Sequence, residues 1–229
     1  MSSMSPQDAL KAQVAKAALS LIAPGAWVGV GTGSTVNFFI DALAASGLSL
    51  AGTVSSSEAS SARLSKLGIP VFSSHEVALL DVYVDGADEI EPHGYMIKGG
   101  GAALTREKIV AAQSKQFICI ADESKWVQTL GAFPLPVEVI PMAAARLIQC
   151  FEALGSQVQA SLRLKDGQPL VTDNAQHILD VKGLEIHDPL AFESMVSQWP
   201  GVVTVGVFAH QKANVCLLGT PQGVRTLYF

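Results

Sequence analysis

Apolar residues along this chain recur with two alternating periods. Behind Ser5-Pro6, a capping residue and a proline suited to the first helical position, Leu10, Val14, Ala17 and Leu21 fall on one helical face until Pro24-Gly25 ends it. A short apolar run, Trp27-Val28-Gly29-Val30, then predicts a buried strand, and Val36 to Ala45 a second helix. The alternation continues through a strand at Thr53-Val54, a helix from Glu58 to Leu67 and a strand at Pro70-Val71-Phe72. Asp81 to Asp85 predicts a strand, Ala102 to Ala112 a helix, and Phe117 to Ala121 another buried strand. Strands alternating with helices predict βαβ units in an α/β fold: a mainly parallel, Rossmann-like sheet with helices on both faces.

The pattern changes after about residue 130. Phe133 to Pro141 carries prolines 134, 136 and 141 around a strand-like stretch, which suits an edge strand. A helix from Met142 to Leu154 follows, then strands at Val158–Leu164 and His177–Val181, and a helix from Leu190 to Gln198 stopped by Pro200-Gly201. These elements predict a small α+β subdomain at 131–203, with 1–130 and 204–229 forming the Rossmann-like catalytic part. Val202–Val205 and Val215–Leu218 are expected to return to the main sheet. Met1 to Met4 read as a loose lead-in.

Composition narrows the function classes. The chain has 229 residues, 49% hydrophobic and 15% charged, with a net charge of −5. That excludes disorder, and it argues against a nucleic-acid or anionic-membrane partner, either of which needs a basic face. The three cysteines, Cys119, Cys150 and Cys216, are widely spaced in apolar surroundings and read as thiols of a reducing compartment. Neither a secretory leader nor a membrane span is visible, so a cytoplasmic location is expected.

In an open parallel sheet, ligands bind beyond the carboxyl ends of the strands, and four loops there can carry chemistry. Gly31-Thr32-Gly33-Ser34-Thr35 joins a strand to a helix. Its glycines admit close approach, the helix start offers N–H groups, and three hydroxyls add donors, which makes a phosphate cradle. It lacks the Gly-Lys-Ser/Thr ending of a Walker loop and fits a dinucleotide fingerprint poorly. Asp85-Gly86-Ala87-Asp88-Glu89 follows a strand and reads equally as a cation site, a grip on sugar hydroxyls or a solvated turn. Lys98-Gly99-Gly100-Gly101 opens the helix holding Glu107 and combines N–H groups with a lysine, as an oxyanion site needs. Glu107 itself, in Thr105-Arg106-Glu107-Lys108, reads on spacing alone as part of a solvated charged face. Lys125, in Asp122-Glu123-Ser124-Lys125, follows another strand and is within reach of a phosphate or a sugar oxygen. The histidines at 75, 93, 177, 187 and 210 show no ligand spacing, and no metal site is expected.

Together these segments resemble type A ribose-5-phosphate isomerase. The resemblance is carried by Gly29 to Thr35, by Tyr83 to Ile90, and by Met96 to Lys108 (MIKGGGAALTREK). Asp122 to Lys125, FPLPVEVIPM from Phe133 to Met142, and Val171 to Asn174 extend it over nearly the whole chain. It implies interconversion of D-ribose 5-phosphate and D-ribulose 5-phosphate through an enediol in the non-oxidative pentose phosphate pathway, without cofactor or metal, by a homodimer. It further implies Glu107 as proton acceptor, with Thr32, Gly33, Ser34, Thr35, Asp85, Gly86, Ala87, Asp88, Lys98, Gly99, Gly100, Gly101 and Lys125 binding substrate. Asp85 is then expected to manage hydroxyl protons, Lys98 to stabilise the oxyanion, and Asp88 to orient Lys98 or the sugar. Rival readings are an amino-sugar-phosphate deaminase, a coenzyme A transferase, or a phosphosugar sensor without turnover.

Overall fold

The structure, a computed structural model, describes residues 5–229, and the lead-in expected at 1–4 lies outside the described residues. Helix α1 (Pro6–Ala18) starts where the Ser5 hydroxyl accepts the Asp8 N–H. Then come β1 (Trp27–Val30), α2 (Ser34–Ser46), β2 (Gly52–Ser55), α3 (Glu58–Lys66), β3 (Val71–Phe72) and β4 (Val82–Asp85). Two short strands, β5 (Glu89–Ile90) and β6 (Met96–Ile97), precede α4 (Leu104–Ala112) and β7 (Phe117–Asp122). The chain continues through β8 (Leu135–Val139), α5 (Ala144–Glu152), β9 (Gln159–Leu162), the hairpin β10 (Leu164–Lys165) and β11 (Gln168–Pro169), and β12 (His177–Lys182). It ends with α6 (Pro189–Ser197), β13 (Val202–Val205), β14 (Val207–Phe208), β15 (Val215–Thr220) and β16 (Gly223–Tyr228).

The chain folds as two compact units, the first made of residues 5–87, 106–126 and 213–229. Its sheet has the order β16-β15-β7-β4-β1-β2-β3, parallel throughout except for the β15–β16 hairpin. Side chains alternate across it. Val28, Val30, Val82, Val84, Ile118, Ile120 and Leu217 pack on one face against Val14 of α1, Phe39, Ile40 and Leu43 of α2, and Leu64 of α3. The opposite face carries Tyr83, and there Gly29 lets α4 lie close: a Cβ on Gly29 would stand 2.7 Å from Val110 and 2.9 Å from Tyr83. Helices therefore cover both faces, as expected. The strand order reverses direction at β1, since β2 lies on one side of it and β4 on the other. The loops after β1 and β4 thus meet at the switch point where such sheets bind ligands.

The second unit, 88–105 and 127–212, holds an antiparallel sheet of order β13-β8-β12-β9 and a three-stranded sheet, β14-β6-β5. Leu135, Val137 and Val139 of β8, with Leu179 and Val181 of β12, pack on Leu147 and Phe151 of α5 and Val196 of α6. Two expectations are corrected here. β8 is an interior strand despite its prolines: proline removes only a donor, and the Pro136 carbonyl still accepts the Gly206 N–H at 2.8 Å. Val202–Val205 pairs with β8 and not with the main sheet, because the turn at Gly201 lays the chain antiparallel to β8, Ile140 N–H donating to the Gly201 carbonyl at 2.9 Å. Val215–Leu218 does return, parallel to β7. Residues 88–105 and 204–212 belong to this unit, because β5, β6 and β14 pair with one another.

Candidate active site

The register of the first sheet sets Val30 of β1 level with Val84 of β4 and Ser55 of β2. The residues that follow these three, Gly31, Asp85 and Ser56, therefore stand side by side. Asp85 is fully buried, and its Oδ1 accepts the N–H groups of Thr32 at 3.0 Å and Gly86 at 2.7 Å, while Oδ2 accepts the Tyr83 hydroxyl. Position 31 must be glycine for this, since a Cβ there would fall 1.9 Å from the Asp85 carboxyl group. Thr32 Oγ1 lies 2.9 Å from Ser56 Oγ, and Ser60 Oγ holds the Gly31 carbonyl at 2.7 Å.

Helix α2 starts at Ser34 from Gly33, whose φ of +115° only glycine adopts easily, and no side chain caps it. The first-turn N–H groups have no intrahelical acceptors, and the helix dipole adds positive potential where Gly33 and Ser34 are exposed. The loop from Thr32 to Thr35 can therefore accept an anion.

Glu107 is not on a solvated face: only 3% of it is exposed. Its neighbour Arg106 faces outward to an ion pair with Glu58 at 2.7 Å, so the helix turns adjacent charges opposite ways. The Tyr83 phenol is held well above its ordinary range, by burial first, then by the charges of Asp85 and Glu107, against a lowering hydrogen bond with Ser56. That places both carboxylates within electrostatic reach of one hydroxyl. Tyr83 is a member of the cluster to which sequence reasoning gave no role. Tyr83 sits in a strand whose alternation reads simply as core.

Lys125 is half-buried in the 3₁₀ turn after β7, at the same end of the sheet as Asp85, where Asp122 accepts the Ser124 N–H at 3.1 Å. Lys98, Asp88 and the three glycines lie in the second unit. Lys98 is 3% exposed, its N–H donates to the Gly206 carbonyl at 2.9 Å, and its Nζ stands 5.5 Å from the Phe208 ring centre. Asp88 accepts the Gly100 N–H at 2.7 Å, and position 100 is sterically bound to that carboxylate, 2.5 Å from a notional Cβ. Asp88 therefore shapes the glycine loop, a role beyond the one expected for it. Gly99 has a φ of +103° and Ala102 of +61°, a left-handed conformation uncommon for alanine and a mark of local strain.

Two further groups in this unit escaped the sequence reading. The Arg163 guanidinium contacts the Gly99 and Gly100 carbonyls and Asp180. The fully buried Glu138 accepts from the hydroxyls of Thr105 and Thr172 and from Asn174. No spacing rule exposes either, because the partners are distant in sequence and partly backbone. The first unit provides two buried carboxylates and an uncapped helix start able to hold an anion, and the second provides a buried lysine and a glycine loop. Those are the parts that carbon-proton transfer on a phosphorylated substrate calls for.

Comparison with known proteins follows the same line. The family model described as ribose 5-phosphate isomerase A (phosphoriboisomerase A) matches residues 52–223. A protein of Albidiferax ferrireducens named ribose-5-phosphate isomerase A is 70% identical over 97% of this chain and 94% of its own length. The crystal structure of ribose 5 phosphate isomerase A from Neisseria gonorrhoeae superposes with a TM-score of 0.94 at 44% identity, covering 99% of both chains. A structure of D-ribose-5-phosphate isomerase in complex with phospho-erythronic acid gives 0.92 at 36% identity, over 98% of this chain and 100% of the other.

Proposed function

This chain belongs to the ribose 5-phosphate isomerase A family and isomerises ribose 5-phosphate and ribulose 5-phosphate, and we propose that Glu107 carries the proton. In that reading the Glu107 carboxylate takes the C2 proton of the open-chain aldose. The C–H electron pair becomes the C1–C2 double bond, and negative charge moves to O1. Return of the proton to C1 gives the ketose. Asp85, fixed by Thr32, Gly86 and Tyr83, passes the hydroxyl proton between O2 and O1.

Lys98 and the Gly101 N–H stabilise the enediolate oxygen, each good donor being worth a factor of about 10²–10³. The cradle at Thr32–Thr35 takes the 5-phosphate, with Lys125 a further cation for it. The observation that carries the assignment is the 3% exposure of Glu107 beside the Tyr83–Asp85 pair. A charged side chain is buried at a ligand-binding sheet end only at a cost, and proton transfer gives a reason for it. On the family resemblance we also place the enzyme in the cytoplasm as a homodimer, whose mass sedimentation reads directly. No helix among the described residues is long and apolar enough to cross a membrane.

The test is Glu107→Gln, which keeps volume and removes the proton-accepting charge. Turnover in a coupled ribulose 5-phosphate assay should fall by about two to four powers of ten, while ribose 5-phosphate affinity survives. Exchange of the C2 proton in deuterated water should fall with it. Near-normal turnover and exchange in the variant would move the base to Asp85.

A further inference from the structure

Arg163 stands between β9 and β10 with its own backbone tied on both sides. Its N–H donates to the Ile178 carbonyl and its carbonyl accepts the Leu170 N–H, both at 2.8 Å. Its side chain is largely buried. Nε and Nη2 donate to the two oxygens of Asp180 on β12, at 2.8 and 2.5 Å, which fixes the guanidinium plane. Nη1 then donates to the carbonyls of Gly99 at 3.0 Å and Gly100 at 2.9 Å.

A trans peptide points its carbonyl and its N–H in opposite directions, and no peptide bond among the described residues is cis. Holding the Gly99 carbonyl therefore turns the Gly100 N–H the other way, where it meets Asp88. Holding the Gly100 carbonyl turns the Gly101 N–H away from Arg163, at an exposed residue. Three successive glycines do not hold one set of peptide orientations by themselves, and the left-handed Ala102 next to them shows the loop under constraint.

We infer that Arg163, oriented by Asp180, is a positioning residue of the isomerase: it sets the peptide planes that present the Gly101 N–H to the enediolate oxygen, without touching substrate. This rests on the reading of Lys98–Gly101 as the oxyanion loop. Because that donor gains strength only as charge develops, its misplacement lowers kcat and spares ground-state binding.

The experiment compares wild type with Arg163→Ala, Arg163→Lys and Asp180→Asn. In Arg163→Ala, kcat should fall about 10- to 100-fold with KM within about twofold. Affinity for phospho-erythronic acid, whose carboxylate mimics the enediolate charge, should fall at least about tenfold in parallel. Arg163→Lys should stay impaired, since an ammonium cannot span two carbonyls and a carboxylate. Millimolar guanidinium chloride should restore part of the kcat of Arg163→Ala and none of that of Arg163→Lys. Active wild type with unchanged kcat in all three variants would overturn the positioning role alone. Inactive wild type would overturn the isomerase reading and this inference with it. Variants whose apparent kcat falls only in proportion to the loss of folded protein by circular dichroism, with kcat per folded molecule unchanged and no guanidinium rescue, would make Arg163 structural and also overturn it.

Discussion

Tyr83 shows how one residue ties the site to the core. Its ring packs against Phe117 with centroids 4.7 Å apart, and its hydroxyl donates to Asp85. Burial and the neighbouring charges of Asp85 and Glu107 keep the phenol protonated well above its ordinary range near 10. The sign of the linkage follows. With the folded-state value raised, the stabilisation is complete below about pH 10 and is lost as pH rises through the folded-state value, because the unfolded chain releases its proton first. Between pH 8 and 11, the melting temperature of wild type should thus fall more steeply than that of Tyr83→Phe. Parallel curves would show that the phenol does not contribute. The Thr105–Lys108 run explains why a residue-level reading of Glu107 from spacing alone was poor. Four polar residues in a row hide which one the helix turns inward, and only the three-dimensional phase of α4 decides it.

At the scale of elements, the first unit was legible except for β16, where Gly-Val-Arg-Thr-Leu-Tyr forms no apolar run. Its other strands are short and mostly apolar, and the loops after them announce themselves by glycine, serine or acid. β8 was misread because proline was weighed as a missing donor, whereas the ladder at Pro136 uses its carbonyl; β13 was misplaced because its partner is set by the turn at Gly201. The start of α2 shows an element acting as a chemical group. The absence of a side-chain cap leaves its first-turn N–H groups without that partner, and the proposed reading gives them, with the hydroxyls of Ser34 and Thr35, to the 5-phosphate. These contacts persist from bound substrate to transition state. Ser34→Ala and Thr35→Ala should therefore raise KM severalfold with little loss of kcat, and inorganic phosphate should compete with substrate. Unchanged KM in both variants would shift the phosphate to Ser55–Ser57 or Lys125.

Across the whole molecule, the four loops that carry the candidate residues were legible, while the groups that brace the glycine loop were not. Arg163, Asp180, Glu138 and Thr172 act on backbone or on one another across long sequence separations, which leaves no periodicity to read. Four of the buried acids share an arrangement that bears on metal dependence. Asp85 is held by the Thr32 and Gly86 N–H groups and the Tyr83 hydroxyl, and Glu89 by the Gly131 and Phe133 N–H groups. Glu193 is held by the N–H groups of Ala209 and His210, and Glu138 by Thr105, Thr172 and Asn174. These carboxylates meet N–H and O–H donors, not one another, and among the described residues no three His, Cys, Asp or Glu side chains are grouped to hold a cation. A divalent ion needs several oxygen ligands converging on one point. In the proposed reading, charge developing on the enediolate is met by Lys98 and the Gly101 N–H. Turnover of ribose 5-phosphate should accordingly be unchanged after dialysis against EDTA and after later addition of magnesium, manganese or zinc. Loss of activity in EDTA that one of these ions reverses would contradict the donor arrangement described, and would point to carboxylates that change partners when substrate binds.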